Sequence, residues 1–119
     1  MKLLVKPVGE EPKLWEVKKI DLDVMKEVIG GGYVQCVPLG AWYPKLEGID
    51  CWMDEEGKLQ AGWVAKINFS LLHPETEEVH DVVVGNSFFT VTDEEGDALP
   101  LSDEQVKLVC EVLKWKSPC

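Results

Sequence analysis

Short alternating stretches open the chain. Lys2 to Val8 and Lys13 to Val17 each read as a strand, and the polar turn Gly9-Glu10-Glu11-Pro12 between them makes a hairpin the natural pairing. From Asp21 the period changes. Leu22, Met25 and Ile29 fall on one helical face, Val24 and Val28 widen it, Asp21 can cap the first turn, and Gly30 to Gly32 supply a left-handed stop. Tyr33 to Leu39 then reads as a strand, Gly40 to Lys45 as a loop holding two large aromatics, and Gly48 to Met53 as another strand. A reversal at Asp54-Glu55-Glu56-Gly57, with Gly57 at positive φ, would fold Lys58-Leu59 back antiparallel. Gln60 to Leu72 fits neither period, so Trp63 to Leu72 is open between strand and short helix.

The later half is clearer. His73 to His80 is a polar turn, and Asp81 to Val91 reads as one apolar strand, central in the sheet, with a bulge or close backbone approach at Gly85-Asn86. Asp93 to Asp97 is a turn and Ala98 to Leu101 a short final strand. Ser102 opens a helix with Gln105 in the capping-box position, and Val106, Val109, Cys110 and Leu113 form its apolar stripe. The expected fold is α+β: a mostly antiparallel or mixed sheet of five or six strands, with two amphipathic helices covering one face.

At 119 residues the chain has the length of a single domain, 1–119, able to bury roughly two thirds of its extended surface. Hydrophobic residues at 45% and charged ones at 29% are globular values. The apolar start is interrupted by Lys6 and Pro7 and reads as a strand rather than a signal peptide, and no apolar run is long enough to span a membrane. Cys36, Cys51, Cys110 and Cys119 read as reduced thiols in a cytoplasmic protein, with Cys36 and Cys51 buried in strands and inert. In that setting the sequon at Asn68 has no glycosylation meaning.

Charge changes the picture further. The net charge is −10, and between Ile67 and Val106 there are ten carboxylates and no basic residue. Since Asp81 to Val91 is expected to be buried, this charge concentrates in two flanking turns and the start of the last helix. All twelve cations are lysines, so the forked guanidinium that grips phosphate is absent from the sequence. Direct nucleic-acid binding is not expected, and mimicry of DNA would need a carboxylate spacing that the sequence does not establish.

Candidate chemistry is sparse. His73, His80 and the cysteines lack metal-ligand spacing, the Asp93 turn has its glycine at the fourth position where a calcium loop needs it at the sixth, and Gly30 to Gly32 follow a helix instead of preceding one. We therefore expect no catalytic set, metal or cofactor. Of the five tryptophans, Trp15, Trp52, Trp63 and Trp115 read as core or core edge. Trp42, followed by Tyr43, sits where packing has no evident need of it.

Several local patterns recur in a fixed order: Lys2-Leu3-Leu4-Val5, the helix ending Gly31-Gly32-Tyr33-Val34, Val37-Pro38-Leu39, Asp54 to Leu59, Asn68, Asp81 to Asn86, and Leu101 to Gln105. Together they resemble the family known as domain of unknown function 3846, small proteins common in bacteriophages and mobile elements. The resemblance covers nearly the whole chain and implies an α+β domain in a phage or mobile-element setting, without catalytic residues to carry over. Gly40 to Cys51 and Leu71 to His80 look longer than the family's usual connections and are the expected places for a partner contact.

The leading expectation is a noncatalytic accessory protein acting in the host-cell cytoplasm, binding a host protein and inhibiting a host or defence process. Trp42 and Tyr43 would anchor the contact, and Glu75, Glu77, Glu78, Asp93, Glu94 and Glu95 would steer it toward a basic partner. The alternative is a small-ligand-binding or sequestering module, open to homo-oligomer formation, with a pocket near Asn68, Asn86 and the aromatic loop. Uncharged or cationic ligands suit its field, whereas a nucleotide requires lysines such as Lys45 or Lys66 to converge.

Overall fold

A computed structural model describes residues 1–31, 33–73 and 75–118; Gly32 of the expected helix stop, Pro74 of the His73–His80 turn and the Cys119 thiol lie outside them. The strands are β1 (Lys2–Lys6), β2 (Lys13–Glu16), β3 (Val34–Pro38), β4 (Ile49–Asp54), β5 (Ile67–Leu72), β6 (Val79–Val84), β7 (Ser87–Thr92) and β8 (Ala98–Leu99). The helices are α1 (Leu22–Ile29) and α2 (Asp103–Val112). A six-stranded antiparallel sheet runs β2-β1-β7-β4-β3, with β8 pairing the end of β7, while β5 and β6 form a separate two-stranded ribbon. The class is α+β as expected.

Two arrangements differ from the sequence reading. The helices cover opposite faces of the sheet. Met25, Val28 and Ile29 of α1 pack with Leu3, Val5 and Phe88, whereas Val106, Val109 and Cys110 of α2 pack with Leu4, Cys51 and Phe89. Neighbouring strand residues point to opposite faces, and both Phe88 and Phe89 are fully buried, so the central strand must be covered on both sides. Leu22 shares the α1 face but lies in the first turn and remains 54% exposed, so it is not a core position.

The expected strand Asp81–Val91 is two strands in different layers. The chain leaves the ribbon at the end of β6, turns at Gly85 (φ 82°), and enters the middle of the main sheet as β7. Glycine is needed here because the corner demands a left-handed backbone. The Asp54–Gly57 reversal also differs. Gly57 begins a 3-10 turn (Gly57–Leu59) and is buried against Val84, so β4 pairs with β3 and β7 instead of with Lys58-Leu59. Trp63 to Leu72 contains both of the alternatives left open, a 3-10 turn over Trp63–Lys66 and then β5.

The corner is pinned by side chains. Residue pairing in the ribbon passes from Ile67–Val84 to Phe69–Val83, which leaves Asn68 as the extra residue of a bulge. A bulge re-aims its side chain. Asn68 Nδ2 donates to the carbonyls of Lys6 (2.7 Å) and Gly85 (2.9 Å), and its Oδ1 accepts from Lys6 Nζ (2.9 Å). Lys6 is 6% exposed, donates also to the Pro7 carbonyl, and lies 5.4 Å from the Trp115 ring centre. Burial holds its ammonium below the ordinary lysine range, against the opposing pull of Glu11 and Glu10. Asn86 completes the corner, accepting from the Val8 N–H (3.1 Å) and donating to the Val28 carbonyl (3.3 Å).

Both helix starts follow local chemistry. The Asp21 carboxylate accepts from the Val24 N–H at 2.9 Å, Gly30 ends α1 at φ 75°, and Ser102 with Gln105 forms a full capping box on α2.

Two outcomes are expected. Asn68→Leu leaves the Lys6 ammonium and two carbonyls short of partners, and should lower stability by about 2–3 kcal/mol in urea denaturation at pH 7. The Val24 N–H holds the Asp21 carboxyl below the usual carboxylate range. Its contribution is therefore present above the unfolded-state value and lost as pH falls through the folded-state one. Asp21→Asn keeps a cap oxygen without that titration, so parent and variant should differ less in stability at pH 2.5 than at pH 7.

Candidate functional site

The aromatic loop is two 3-10 turns, Leu39–Ala41 and Pro44–Leu46, and not an irregular excursion. Leu39 and Leu46 are fully buried at its two ends, and Pro44 fixes the backbone at the first position of the second turn. Gly40 keeps this approach close: a Cβ there would lie 3.0 Å from the Glu47 Cα and would displace the Glu47 carboxylate. Trp42 and Tyr43 thus ride on a segment anchored at both sides.

Neither ring protrudes as an apolar anchor. Both are half-buried and pack against the core on the α2 side, which corrects the expectation that packing does not need Trp42. The pairing shift between Leu71–Asp81 and Leu72–Val79 leaves His80 as the extra residue of a second bulge, and its ring lies 4.1 Å from the Trp42 ring at a 32° tilt. The Tyr43 hydroxyl accepts from the Leu72 N–H (3.2 Å), the donor beside that bulge, and donates to the Ser70 carbonyl (3.5 Å). Both aromatics are therefore held in place from the ribbon.

Between loop, ribbon and the end of α2 lies a cleft of about 460 Å³, lined by Trp42, Tyr43, Pro44, Lys45, Leu72, His73, Glu77, Val112 and Lys114. That size is in the range of small-ligand sites. A hollow of about 160 Å³ adjoins it, sharing Tyr43, Leu72, Val112 and Lys114 and reaching Phe69 and Trp115. Lys45, Lys114 and Glu77 form no ion pair with a described residue.

Two of these charged side chains hang from unusual backbone. Glu77 (φ 60°) and Lys114 (φ 59°) are the non-glycine residues with positive φ among the described residues. Lys114 follows the last turn of α2 with its N–H on the Glu111 carbonyl (3.2 Å), while the Trp115 N–H reaches the Cys110 carbonyl (2.7 Å). This is a Schellman ending in which lysine takes the position that usually belongs to glycine. Glu77 sits in the β5–β6 turn, where its N–H bonds the His73 carbonyl (2.9 Å) and the His73 N–H bonds the Glu78 carbonyl (2.7 Å).

The sequence candidates separate into groups. Trp42, Tyr43, Lys45 and Glu77 line the cleft, and Glu75 and Glu78 are exposed in the same turn as Glu77. Asp93, Glu94 and Glu95 belong to the β7–β8 turn and do not line it. Carboxylate oxygens of Asp93, Glu95 and Asp97 come within 4.8 Å of one another. Asp93 Oδ1 already accepts from the N–H groups of Glu95 and Asp97 (both 2.9 Å), so it clasps its own turn. Asn68 and Asn86 hold the corner instead of lining the cleft, because their amides are taken by backbone groups and Lys6. Lys66 is exposed and also stands apart. Lys114 and Val112 were missed; Lys114 is recognisable only once the exact end of α2 is known.

Neither Cys36 nor Cys51 has a nucleophilic setting. Burial pushes Cys51 up to about 12 despite its contact with Ser87 Oγ (3.0 Å). Cys36 is exposed on the edge strand β3, contrary to the buried position expected, but its sulfur is partly covered. That covering, with the Asp50 carboxylate, raises it to about 11.

An antiparallel sheet covered by one helix on each face, with an aromatic-lined cleft at one end of the ribbon, makes this a small α+β fold. The chain belongs to the family of the domain of unknown function DUF3846, whose profile matches residues 1–114. No curated protein and no solved structure matches it. No helix among the described residues is long and apolar enough to cross a membrane.

The lysine at the end of α2 permits a direct measurement. Lys114→Gly relieves a left-handed backbone disfavoured for side-chain-bearing residues and should raise unfolding stability by up to about 1 kcal/mol, read in urea at pH 7.

Proposed function

We propose that this protein is a noncatalytic accessory protein of a bacteriophage or mobile element, acting in the host-cell cytoplasm by binding a host protein and inhibiting a host or defence process. The observation that carries the reading is the cleft beside Trp42 and Tyr43, with Glu77 on its wall and Glu75 and Glu78 in the same exposed turn. An apolar or aromatic side chain of the partner enters the cleft, and the acidic turn steers basic surface toward it. The raised thiols and the clasped Asp93 turn leave binding, more than reaction, as the chemistry these residues are suited to.

The cleft's volume also favours a second reading, capture or sequestration of a small ligand. The pocket then lies between the aromatic loop and the end of α2, and Asn68 and Asn86 act only by holding the ribbon in place.

Affinity capture from host lysate with the parent chain, Trp42→Ala and the pair Glu75→Lys with Glu78→Lys tests the first reading. A specific partner should be lost with Trp42→Ala and weakened by charge reversal; retention of every partner by both variants sinks this interface. Native mass spectrometry of protein taken directly from its host cells addresses the second, for which a retained small mass is expected to disappear with Trp42→Ala.

A further inference from the structure

We infer that the cleft takes a planar aromatic ring carrying one phosphate, the chemistry of a nucleoside monophosphate. This rests on the small-ligand reading and adds the class of ligand. The ring wall is supplied by Trp42 and Tyr43, whose orientation is set before any ligand arrives: Trp42 by the His80 ring, Tyr43 by its hydrogen bonds to Leu72 and Ser70. Aromatic side chains held in this way stack a flat base with little further loss of freedom.

The cationic end comes from convergence. Lys45 arrives on the turn after Pro44 and Lys114 from the end of α2, and both line the same cleft although they are far apart in sequence. Neither is neutralised by a carboxylate among the described residues, in a chain whose net charge is −10. In so acidic a protein, two lysines that form no ion pair among the described residues, beside an aromatic wall, are placed to receive an anion. Lysine is the phosphate-binding side chain left to a sequence without arginine.

Two further features narrow the class. Glu77, on the same wall, offers a carboxylate to hydrogen-bond donors such as the hydroxyls of a sugar. Its charge and the acidic turn around it disfavour a triphosphate, which two lysines cannot balance, so one phosphate is the better match. The backbone points the same way. Glycine would satisfy the helix ending at Lys114 with less strain, and the lysine there brings a charge to the cleft that glycine cannot.

The test is calorimetric titration of the whole chain with the four ribonucleoside 5′-monophosphates, their nucleosides, their 5′-triphosphates and inorganic phosphate. At least one monophosphate is expected to bind, its nucleoside and its triphosphate at least tenfold more weakly, and inorganic phosphate without measurable heat. Lys45→Ala and Lys114→Gly should each weaken that monophosphate at least fivefold, while Lys66→Ala, outside the cleft, leaves it unchanged. A urea midpoint of Lys114→Gly at or above the parent's shows that a loss of affinity in it does not come from unfolding. Absence of binding by all four monophosphates at millimolar concentration overturns the inference, as does equal binding of nucleoside and nucleotide, or equal weakening by Lys66→Ala. If monophosphates fail and the native mass spectrum still shows a different retained mass, the ligand class falls and the small-ligand reading stands.

Discussion

The hydrogen bonds of Asn68 to the carbonyls of Lys6 and Gly85 are the constraint on which the rest of the architecture depends. They join the first strand of the main sheet, the ribbon and the corner where the chain passes from one layer to the other. A chain that leaves a ribbon to become the central strand of another sheet exposes backbone donors and acceptors at the crossing, and these need partners once water is excluded. The Asn68 amide meets two carbonyls, the Lys6 ammonium meets its oxygen, and Asn86 ties the same corner to Val8 and to the end of α1. With the corner held, β7 lies between β1 and β4 and buries Phe88 toward one helix and Phe89 toward the other.

The cleft follows from the same ribbon. One bulge aims Asn68 at the corner, and the other sets His80 against Trp42, so two interruptions of a single hairpin secure the core at one end and shape the site at the other. The aromatic loop meets the ribbon through the Tyr43 hydroxyl and is anchored by buried leucines at its two ends. A wall built on packed elements is already ordered before a partner or ligand arrives, which lowers the entropy lost on association. Left-handed backbone at Glu77 and Lys114 is tolerated because the turn and the helix end hydrogen-bond around them.

Net charge describes this molecule poorly at the scale of its cleft. The overall field is acidic, and an acidic turn borders the site, yet two lysines without an ion pair among the described residues line its wall. At separations beyond roughly 8–10 Å, salt screens exposed charges strongly, so binding at the cleft responds to the charges lining it and long-range steering to the whole surface. An anion can therefore fit the cleft of a protein whose net charge is strongly negative.

Much of the local structure was legible in the chain itself. The first hairpin, the Asp21 cap, the Gly30 stop and the Ser102–Gln105 box depend on residues a few positions apart, and local hydrogen bonding sets them wherever the segment ends up. The aromatic loop was also visible as a place of interest, because Trp42 and Tyr43 stand out by residue type. Other features were not local. Asp81 to Val91 is continuous in hydrophobicity and splits only because different layers cover its two halves, and the helices separate only because the central strand needs cover on both faces. Asn68 and Asn86 looked like polar groups awaiting a ligand, but their donors and acceptors are taken by backbone from distant parts of the chain. Lys114 gained its place at the cleft from the exact residue at which α2 ends. The sequence by itself determined the two helices with their caps, the first hairpin and the acidic balance, since these are short-range or additive properties. Only the tertiary structure decided which polar groups are occupied and which charges share a cleft, because both depend on long-range packing that brings distant residues together.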